Sequence, residues 1–141
     1  MILVLDFGGQ YAQLIARRVR EARVYSVLIP YDTPIEEIMA RNPEGIILSG
    51  GPNSVYQEGA PRVEDGFFDL DTPMLGICYG MQLMALASGA EVGAVQIREY
   101  GRSDLRIKGH EGLFAGTPDE QKAWTSHGDA VFSVPEGFEV G

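Results

Sequence analysis

The chain has 141 residues, of which 45% are hydrophobic and 22% are charged, and its formal net charge is −9. That length suits one domain with a sizeable core, and the acidic balance argues against direct binding to nucleic acid or to an anionic membrane. No apolar run approaches the ~20 residues of a membrane span, and one cysteine with two histidines gives neither an internal disulfide nor a zinc spacing. These features predict a cytoplasmic protein that binds neither nucleic acid nor a membrane and holds no metal.

The first half of the chain alternates strands and helices. Short apolar runs predict strands at residues 1–6, 23–30, 45–48 and 74–77, and helical patterns predict helices at residues 11–22, 33–41, 63–70 and 81–88. Residues 33–36 (Thr-Pro-Ile-Glu) form a capping-box pattern that predicts the start of the second helix. Nearly continuous apolar strands in this order predict an α/β fold, a doubly wound and mainly parallel sheet with helices on both faces. Short strands at residues 92–97, 104–108, 122–125 and 130–134 predict a small antiparallel appendage. The residues expected to separate these strands are Gly101, Gly109, Gly116 and Pro118. Ligands of such sheets bind at the carboxyl ends of the strands, so we expect the site there.

Cys78, the only cysteine, lies at the predicted turn from the fourth strand into the next helix. Gly76 and Gly80 flank it in the pattern of a nucleophile elbow, where glycines let the strand and the helix pack closely. A lone cysteine is more often a small buried hydrophobic residue, but paired glycines at a strand-to-helix turn favour a nucleophile. The free N–H groups and the dipole of the helix N-terminus favour the thiolate. We therefore expect acyl transfer through a thioester at Cys78.

Thioester chemistry needs hydrogen-bond donors for the oxyanion of the tetrahedral intermediate. The N–H of Tyr79, directly after the nucleophile, is one predicted donor. A second should come from the loop 49–52 (Ser-Gly-Gly-Pro), whose glycines expose backbone donors at the end of a neighbouring strand. The alternative for this loop, judged alone, is a plain turn after the third strand.

Four segments together resemble one known family. Residues 76–82 (Gly-Ile-Cys-Tyr-Gly-Met-Gln) resemble the nucleophile motif of class I, or triad-type, glutamine amidotransferases. The Tyr-Gly-Met-Gln version resembles the GMP synthase branch of that family. Residues 6–11 (Asp-Phe-Gly-Gly-Gln-Tyr), 48–56 and 124–129 (Trp-Thr-Ser-His-Gly-Asp) agree with the same branch. The resemblance covers the whole chain with its motifs in the right order.

The resemblance implies roles for individual residues. Cys78 would attack the side-chain amide of L-glutamine, release ammonia and leave a glutamyl thioester for water to hydrolyse. The N–H groups of Gly51 and Tyr79 would form the oxyanion hole. The residues implied to bind the substrate are Gln82, one turn into the helix, and the segment Ser126, His127 and Gly128.

His127 is implied to be a substrate-side residue and not the general base. In the family the catalytic His and Glu lie in a later His-Pro-Glu motif, and the 141 residues contain none. The sequence therefore predicts an amidotransferase domain over residues 1–141 that stops before this motif and includes no ATP-pyrophosphatase domain. Such a synthetase domain or subunit is the implied partner. ATP and Mg are implied in that partner, with no cofactor in this domain.

Three alternatives stay open from the sequence. The loop 49–54 superficially resembles the Ser-Gly-Gly-x-Asp-Ser phosphate loop of ATP-pyrophosphatases, but Asn53 stands in place of the acidic residue and Pro52 removes a donor. A catalytically incompetent binding or regulatory module of the same fold would be compatible with the absent His-Pro-Glu. Another class I subunit, of the anthranilate or aminodeoxychorismate type, more often carries Leu-Gly after the cysteine.

Overall fold

The structure, a computed structural model, describes the backbone of residues 1–140 and their side chains except those of residues 95–100 and 126–128. Its central sheet has four strands, which are β1 (Ile2–Asp6), β2 (Ser26–Pro30), β3 (Gly45–Leu48) and β4 (Met74–Gly76). All pairings are parallel, and the strand order is β2-β1-β3-β4. The predicted α/β fold with a parallel sheet is confirmed.

β1 lies inside the sheet, because it pairs with β2 on one side and with β3 on the other. Three successive residues of β1, Leu3, Val4 and Leu5, are all 0% exposed. Successive side chains of a strand point to opposite faces, so both faces of β1 are covered. The other large side chains that are fully buried include Phe7, Ile38, Ile46, Leu48, Val55, Phe67 and Tyr79.

Three helices flank the sheet, and these are α1 (Ala12–Glu21), α2 (Ile35–Ala40) and α3 (Tyr79–Ala87). The predicted helix at 63–70 is wrong, since only a single 3₁₀ turn forms at Phe67–Asp69. Gly66 precedes this turn with φ of 84°, a left-handed conformation that interrupts a right-handed helix. No helix within residues 1–140 is long and apolar enough to cross a membrane.

The sequence also predicted the wrong cap for α2. Thr33 lies before Pro34 and Glu36 in a capping-box pattern, but its hydroxyl donates a hydrogen bond to the carbonyl of Pro30 at 2.7 Å. The N–H of Ile35, at the start of α2, donates instead to the carboxylate of Glu64 at 2.8 Å. A distant carboxylate therefore satisfies a donor that a local cap was expected to satisfy.

The second half of the chain forms one antiparallel hairpin of β5 (Val92–Arg106) and β6 (Glu120–Val131), with an irregular register between Ala94 and Glu99. The antiparallel appendage is confirmed, but the structure has two long strands where four short ones were predicted. Gly101 was expected to end a strand, yet it pairs with Thr125 inside the ladder. Its φ of 123° is open to glycine, so the ladder continues through it.

Candidate active site

Cys78 lies in the sharp turn between the end of β4 and the start of α3. Its backbone has φ of 49° and ψ of −109°, which few non-glycine residues adopt. Hydrogen bonds on both sides hold the turn against β3, since the N–H of Ile77 donates to the carbonyl of Leu48 at 3.0 Å and the N–H of Gly80 to that of Ser49 at 3.2 Å. The predicted elbow is therefore present, with a strained residue at its apex.

The two glycines of the elbow allow backbone approaches that no side chain permits. A Cβ atom at Gly80 would lie 2.5 Å from the carbonyl oxygen of Leu48, and one at Gly76 would lie 2.6 Å from the backbone nitrogen of Met81. Real Cβ atoms essentially never come so close to another heavy atom. The close packing of strand and helix that the sequence predicted is confirmed.

The Cys78 thiol is half-buried, and its burial raises the pKa of this group above the usual range of a cysteine. As predicted, Cys78 lies at a helix N-terminus, directly before the first residue of α3. The expectation that this position favours the thiolate is nevertheless wrong for the described residues, since desolvation of the charged form is the cause of the shift. A proton acceptor is therefore needed to activate the thiol at neutral pH.

The loop after β3 lies directly beside the elbow, so the structure brings together the two segments that the sequence assigned to one crevice. A Cβ atom at Gly50 would lie 3.5 Å from the Cβ of Cys78. Within the described part of the chain, no acceptor takes the N–H of Gly51 or of Tyr79. Each of the two predicted oxyanion donors is thus without an acceptor among the described residues, as an oxyanion hole requires.

Tyr79 is held by its side chain on the other side of this crevice. Its ring is 2% exposed and packs 5.4 Å from the ring of Phe7, and its hydroxyl donates to the carbonyl of Pro61 at 2.5 Å. Burial raises the pKa of the Tyr79 phenol, and the positive charge of Arg62 opposes this shift. The phenol is therefore neutral at ordinary pH and acts as a hydrogen-bond donor that fixes the residue.

Sequence reasoning gave no separate role to Ser49, which the structure shows to be 0% exposed. Its hydroxyl accepts the N–H of Phe7 at 3.1 Å and donates to the carbonyl of Gly50 at 3.1 Å. The signal that the sequence offered was a serine directly after an apolar strand. A hydroxyl that is buried there must form hydrogen bonds inside the protein. The identity of those partners depends on the loop after β1, which is distant in sequence.

Gln82 is 3% exposed, and its side-chain amide donates from Nε2 to the backbone carbonyl of Asp129 at 2.8 Å. This bond connects α3 to the part of β6 that contains the predicted substrate residues. The backbone register sets Ser126 opposite Tyr100 and His127 opposite Glu99. The side chains of Ser126 and His127, and Gly128 between them and Asp129, lie outside the described side chains, so their assignment stays a prediction.

Metal binding has no support in the described residues, where no group of three His, Cys, Asp or Glu side chains is placed to hold an ion. The sequence prediction that this domain uses no cofactor stays a prediction. What the arrangement offers chemically is a cysteine on an elbow, two free backbone donors and a buried serine behind them.

The sequence resembles a known family and known proteins over nearly its whole length. The profile of the glutamine amidotransferase class-I family matches residues 3–141. Two curated proteins named GMP synthase (glutamine-hydrolyzing), from Streptomyces avermitilis and Bacillus subtilis, are 58% and 59% identical over 140 residues. These matches cover 99% of this chain and 27% of each relative, so the chain spans little more than a quarter of their length.

Solved structures with the same fold were also found. A Thermoplasma acidophilum protein described as one subunit of GMP synthase has a TM-score of 0.80 and 32% identity, covering 96% of this chain and 68% of that one. A glutamine amidotransferase from Thermotoga maritima has a TM-score of 0.68 at 23% identity, covering 96% of this chain and 63% of that one. The second likeness concerns the fold alone.

Proposed function

This chain belongs to the class-I glutamine amidotransferase family, and we propose that it is the glutamine-hydrolysing part of a GMP synthase. The observation that carries the proposal is the elbow, where a strained cysteine faces a glycine loop across a crevice with two free backbone donors. The identity to two curated GMP synthases over 99% of this chain supports the choice of that branch.

In the proposed reaction the sulfur of Cys78 attacks the side-chain amide carbon of L-glutamine. The N–H groups of Gly51 and Tyr79 stabilise the negative oxygen of the tetrahedral intermediate. The C–N bond then breaks, the nitrogen takes a proton and leaves as ammonia, and a glutamyl thioester remains on Cys78. Water attacks this thioester, which releases glutamate and restores the thiol.

The proton on Cys78 must be removed before the attack, because burial raises the pKa of the thiol. We propose that the family's His-Pro-Glu motif, which does not occur in residues 1–141, supplies the histidine that accepts this proton and returns it to the leaving ammonia. In this mechanism His127 has a substrate-side role and does not act as the base.

Substrate binding is proposed for residues next to the crevice. Gln82 and the segment Ser126, His127 and Gly128 would hold the glutamine, and the bond from Gln82 to Asp129 keeps α3 and this segment in contact. The ammonia would pass to an ATP-pyrophosphatase partner that uses ATP and Mg to activate XMP for amination to GMP. This partner domain or subunit is the proposed destination of the ammonia.

Replacement of the nucleophile tests the proposed function directly. In the complete enzyme with its synthetase part, Cys78→Ala should reduce glutamine-dependent GMP formation by at least about 10⁴-fold, because the thioester cannot form. Synthesis from added ammonia should stay within about twofold of the parent, since it bypasses this domain. The two rates are measured under the same conditions with XMP and ATP.

The outcome also separates the alternatives. Glutamine-dependent synthesis that survives in Cys78→Ala would show that Cys78 is not the nucleophile. A parent enzyme that forms GMP from ammonia but releases no glutamate from glutamine would instead support the non-hydrolysing module, with which the absence of a His-Pro-Glu motif from residues 1–141 is compatible.

A further inference from the structure

Ser49 is the buried polar residue at the carboxyl end of β3, and three chain segments meet at it. Its N–H donates to the carbonyl of Leu5 at 3.1 Å, and its carbonyl accepts the N–H of Gly80 at 3.2 Å. Its hydroxyl accepts the N–H of Phe7. Ser49 therefore connects the end of β1 and the elbow to the glycine loop, with no side-chain surface exposed to solvent.

The same hydroxyl fixes the orientation of one peptide group. It donates its proton to the carbonyl oxygen of Gly50 at 3.1 Å, and no peptide bond within the described residues is cis. In a trans peptide the C=O of one residue and the N–H of the next point in opposite directions. A constraint on the carbonyl of Gly50 is therefore also a constraint on the N–H of Gly51.

The loop after β1 limits the same carbonyl from its other side. A Cβ atom at Gly9 would lie 2.3 Å from the oxygen of Gly50, so this oxygen faces the backbone of Gly9. The Cβ direction of Gly50 faces Cys78 at 3.5 Å. The N–H of Gly51 therefore points away from Gly9 and is left without an acceptor among the described residues.

We propose that Ser49 is a positioning residue, whose hydroxyl holds the Gly50–Gly51 peptide so that the N–H of Gly51 faces the oxyanion formed at Cys78. The inference rests on the proposed glutaminase function and adds to it the group that sets one of the two oxyanion donors. Both hydrogen bonds of the Ser49 hydroxyl join it to backbone groups, those of Phe7 and Gly50, so it acts through the peptide that it orients.

The test is steady-state glutamate release by the complete enzyme with Ser49→Ala. Loss of one oxyanion donor lowers kcat by about 10²–10³-fold, so partial misorientation of that donor should lower kcat about 10- to 100-fold. KM for glutamine should stay within about twofold, because the donor acts on the transition state. Alkylation of Cys78 by iodoacetamide should also stay within about twofold, since displacement at a saturated carbon forms no oxyanion.

Two sets of variants separate the hydroxyl from general damage to the fold. Ser49→Thr keeps the hydroxyl and Ser49→Val removes it at nearly equal size, so kcat should be at least about tenfold higher for the threonine variant. Ser26→Ala is the matched control. Ser26 is also buried, and its hydroxyl also donates to a backbone carbonyl, that of Ala16 at 2.7 Å, but this carbonyl belongs to α1 and not to the loop after β3. This control should leave kcat within about twofold of the parent.

Several results would overturn the inference. The first is an unchanged kcat in Ser49→Ala. The second is a fall in kcat of Ser49→Ala that is matched by an equal fall in its alkylation rate. The third is an equal kcat in Ser49→Thr and Ser49→Val while Ser49→Ala is active. An equal fall in kcat in Ser26→Ala would have the same meaning. A parent enzyme that releases no glutamate would overturn the proposed function itself, and this inference with it.

Discussion

At the scale of single residues, Cys78 combines a reactive position with an unreactive resting state. Cys78 lies between β4 and α3, in the crevice beside Gly50, and its side chain is half-buried. Burial stabilises the neutral thiol, because a thiolate loses more hydration energy than a thiol does. Among the described residues, the surroundings of Cys78 therefore favour the neutral thiol over the thiolate.

This state predicts the pH dependence of alkylation. Iodoacetamide reacts with the thiolate, and the raised pKa of Cys78 lowers the thiolate fraction at any given pH. For this 141-residue chain, the rate of adduct formation should rise with pH and reach half its maximum above the ~8.5 of an unperturbed cysteine. Intact mass after timed quenching measures the rate, with a cysteine-containing peptide as the reference. A midpoint at or below that of the peptide would contradict the burial effect.

The sequence predicted the position of Cys78 on the elbow, but not the hydrogen bonds of Ser49 beside it. Cys78, Gly76 and Gly80 were predictable, because a nucleophile between glycines at a strand-to-helix turn is a local pattern. Ser49 was not predictable in its role, since its hydrogen bonds join it to Phe7, which is 42 residues away. The sign of the pKa shift at Cys78 was also missed, because the helix end is visible in the sequence and the extent of burial is not.

At the scale of elements, the elbow depends on the fit of α3 against β3. Gly80, in the first turn of α3, lies against the backbone of Leu48, the last residue of β3. Backbone atoms on both sides cannot rotate away as the end of a flexible side chain can. The contact therefore fixes the distance between β3 and α3, and the position of Cys78 depends on this distance.

Gly80→Ala should destabilise the protein by at least about 2 kcal/mol, because its Cβ would lie 2.5 Å from backbone and side-chain atoms of Leu48. Gly45→Ala, at the other end of β3, is the matched control, since its nearest contact is the end of the Ile2 side chain at 3.1 Å. That variant should lose less than about 1 kcal/mol. Urea unfolding of both variants measures the difference. Equal losses would show that the close approach at Gly80 is not a special constraint.

Element prediction was best where periodicity was regular and failed where a distant group decided the outcome. The parallel strands and α1 follow from local patterns of apolar residues. The helix predicted at 63–70 failed at Gly66, and α2 begins next to Glu64, a partner that its own sequence does not reveal. The four predicted strands of the appendage merged into two, because Gly101 continues the ladder that it was expected to end.

At the scale of the whole molecule, the two sheets differ in how completely they are covered. β1 is buried on both faces and paired on both edges. Residues 102–106 and 120–124 of the hairpin form a two-stranded ribbon with mostly exposed side chains, and Trp124 is 78% exposed. An isolated two-stranded ribbon has little stability of its own.

Hydrogen exchange should reveal this difference. The amides of residues 3–5 should exchange only through global unfolding, whereas those of residues 102–106 and 120–124 should exchange at least about tenfold faster through local opening. Mass spectrometry of peptides from timed exchange resolves the two regions in one experiment. Equal protection of both regions would mean that the hairpin unfolds only together with the central sheet.

The sequence predicted the class of the fold, but not its strand order. Alternating strands and helices indicate parallel pairing, and the structure then sets β1 between β2 and β3. Which strand occupies the centre depends on how each helix packs after its strand, and short apolar runs of similar composition do not reveal this. The crevice was nevertheless predictable, because the ends of neighbouring parallel strands lie at one edge in any order.

The half-buried thiol of Cys78 also determines how this chain responds to oxidants. Peroxides attack the thiolate, so the neutral resting thiol is oxidised slowly. The 141 residues contain no second cysteine, and a sulfenic acid at Cys78 therefore has no thiol in this chain with which to form a disulfide. Any group that takes the proton of Cys78 also raises the thiolate fraction, and with it the rate at which peroxide oxidises the sulfur.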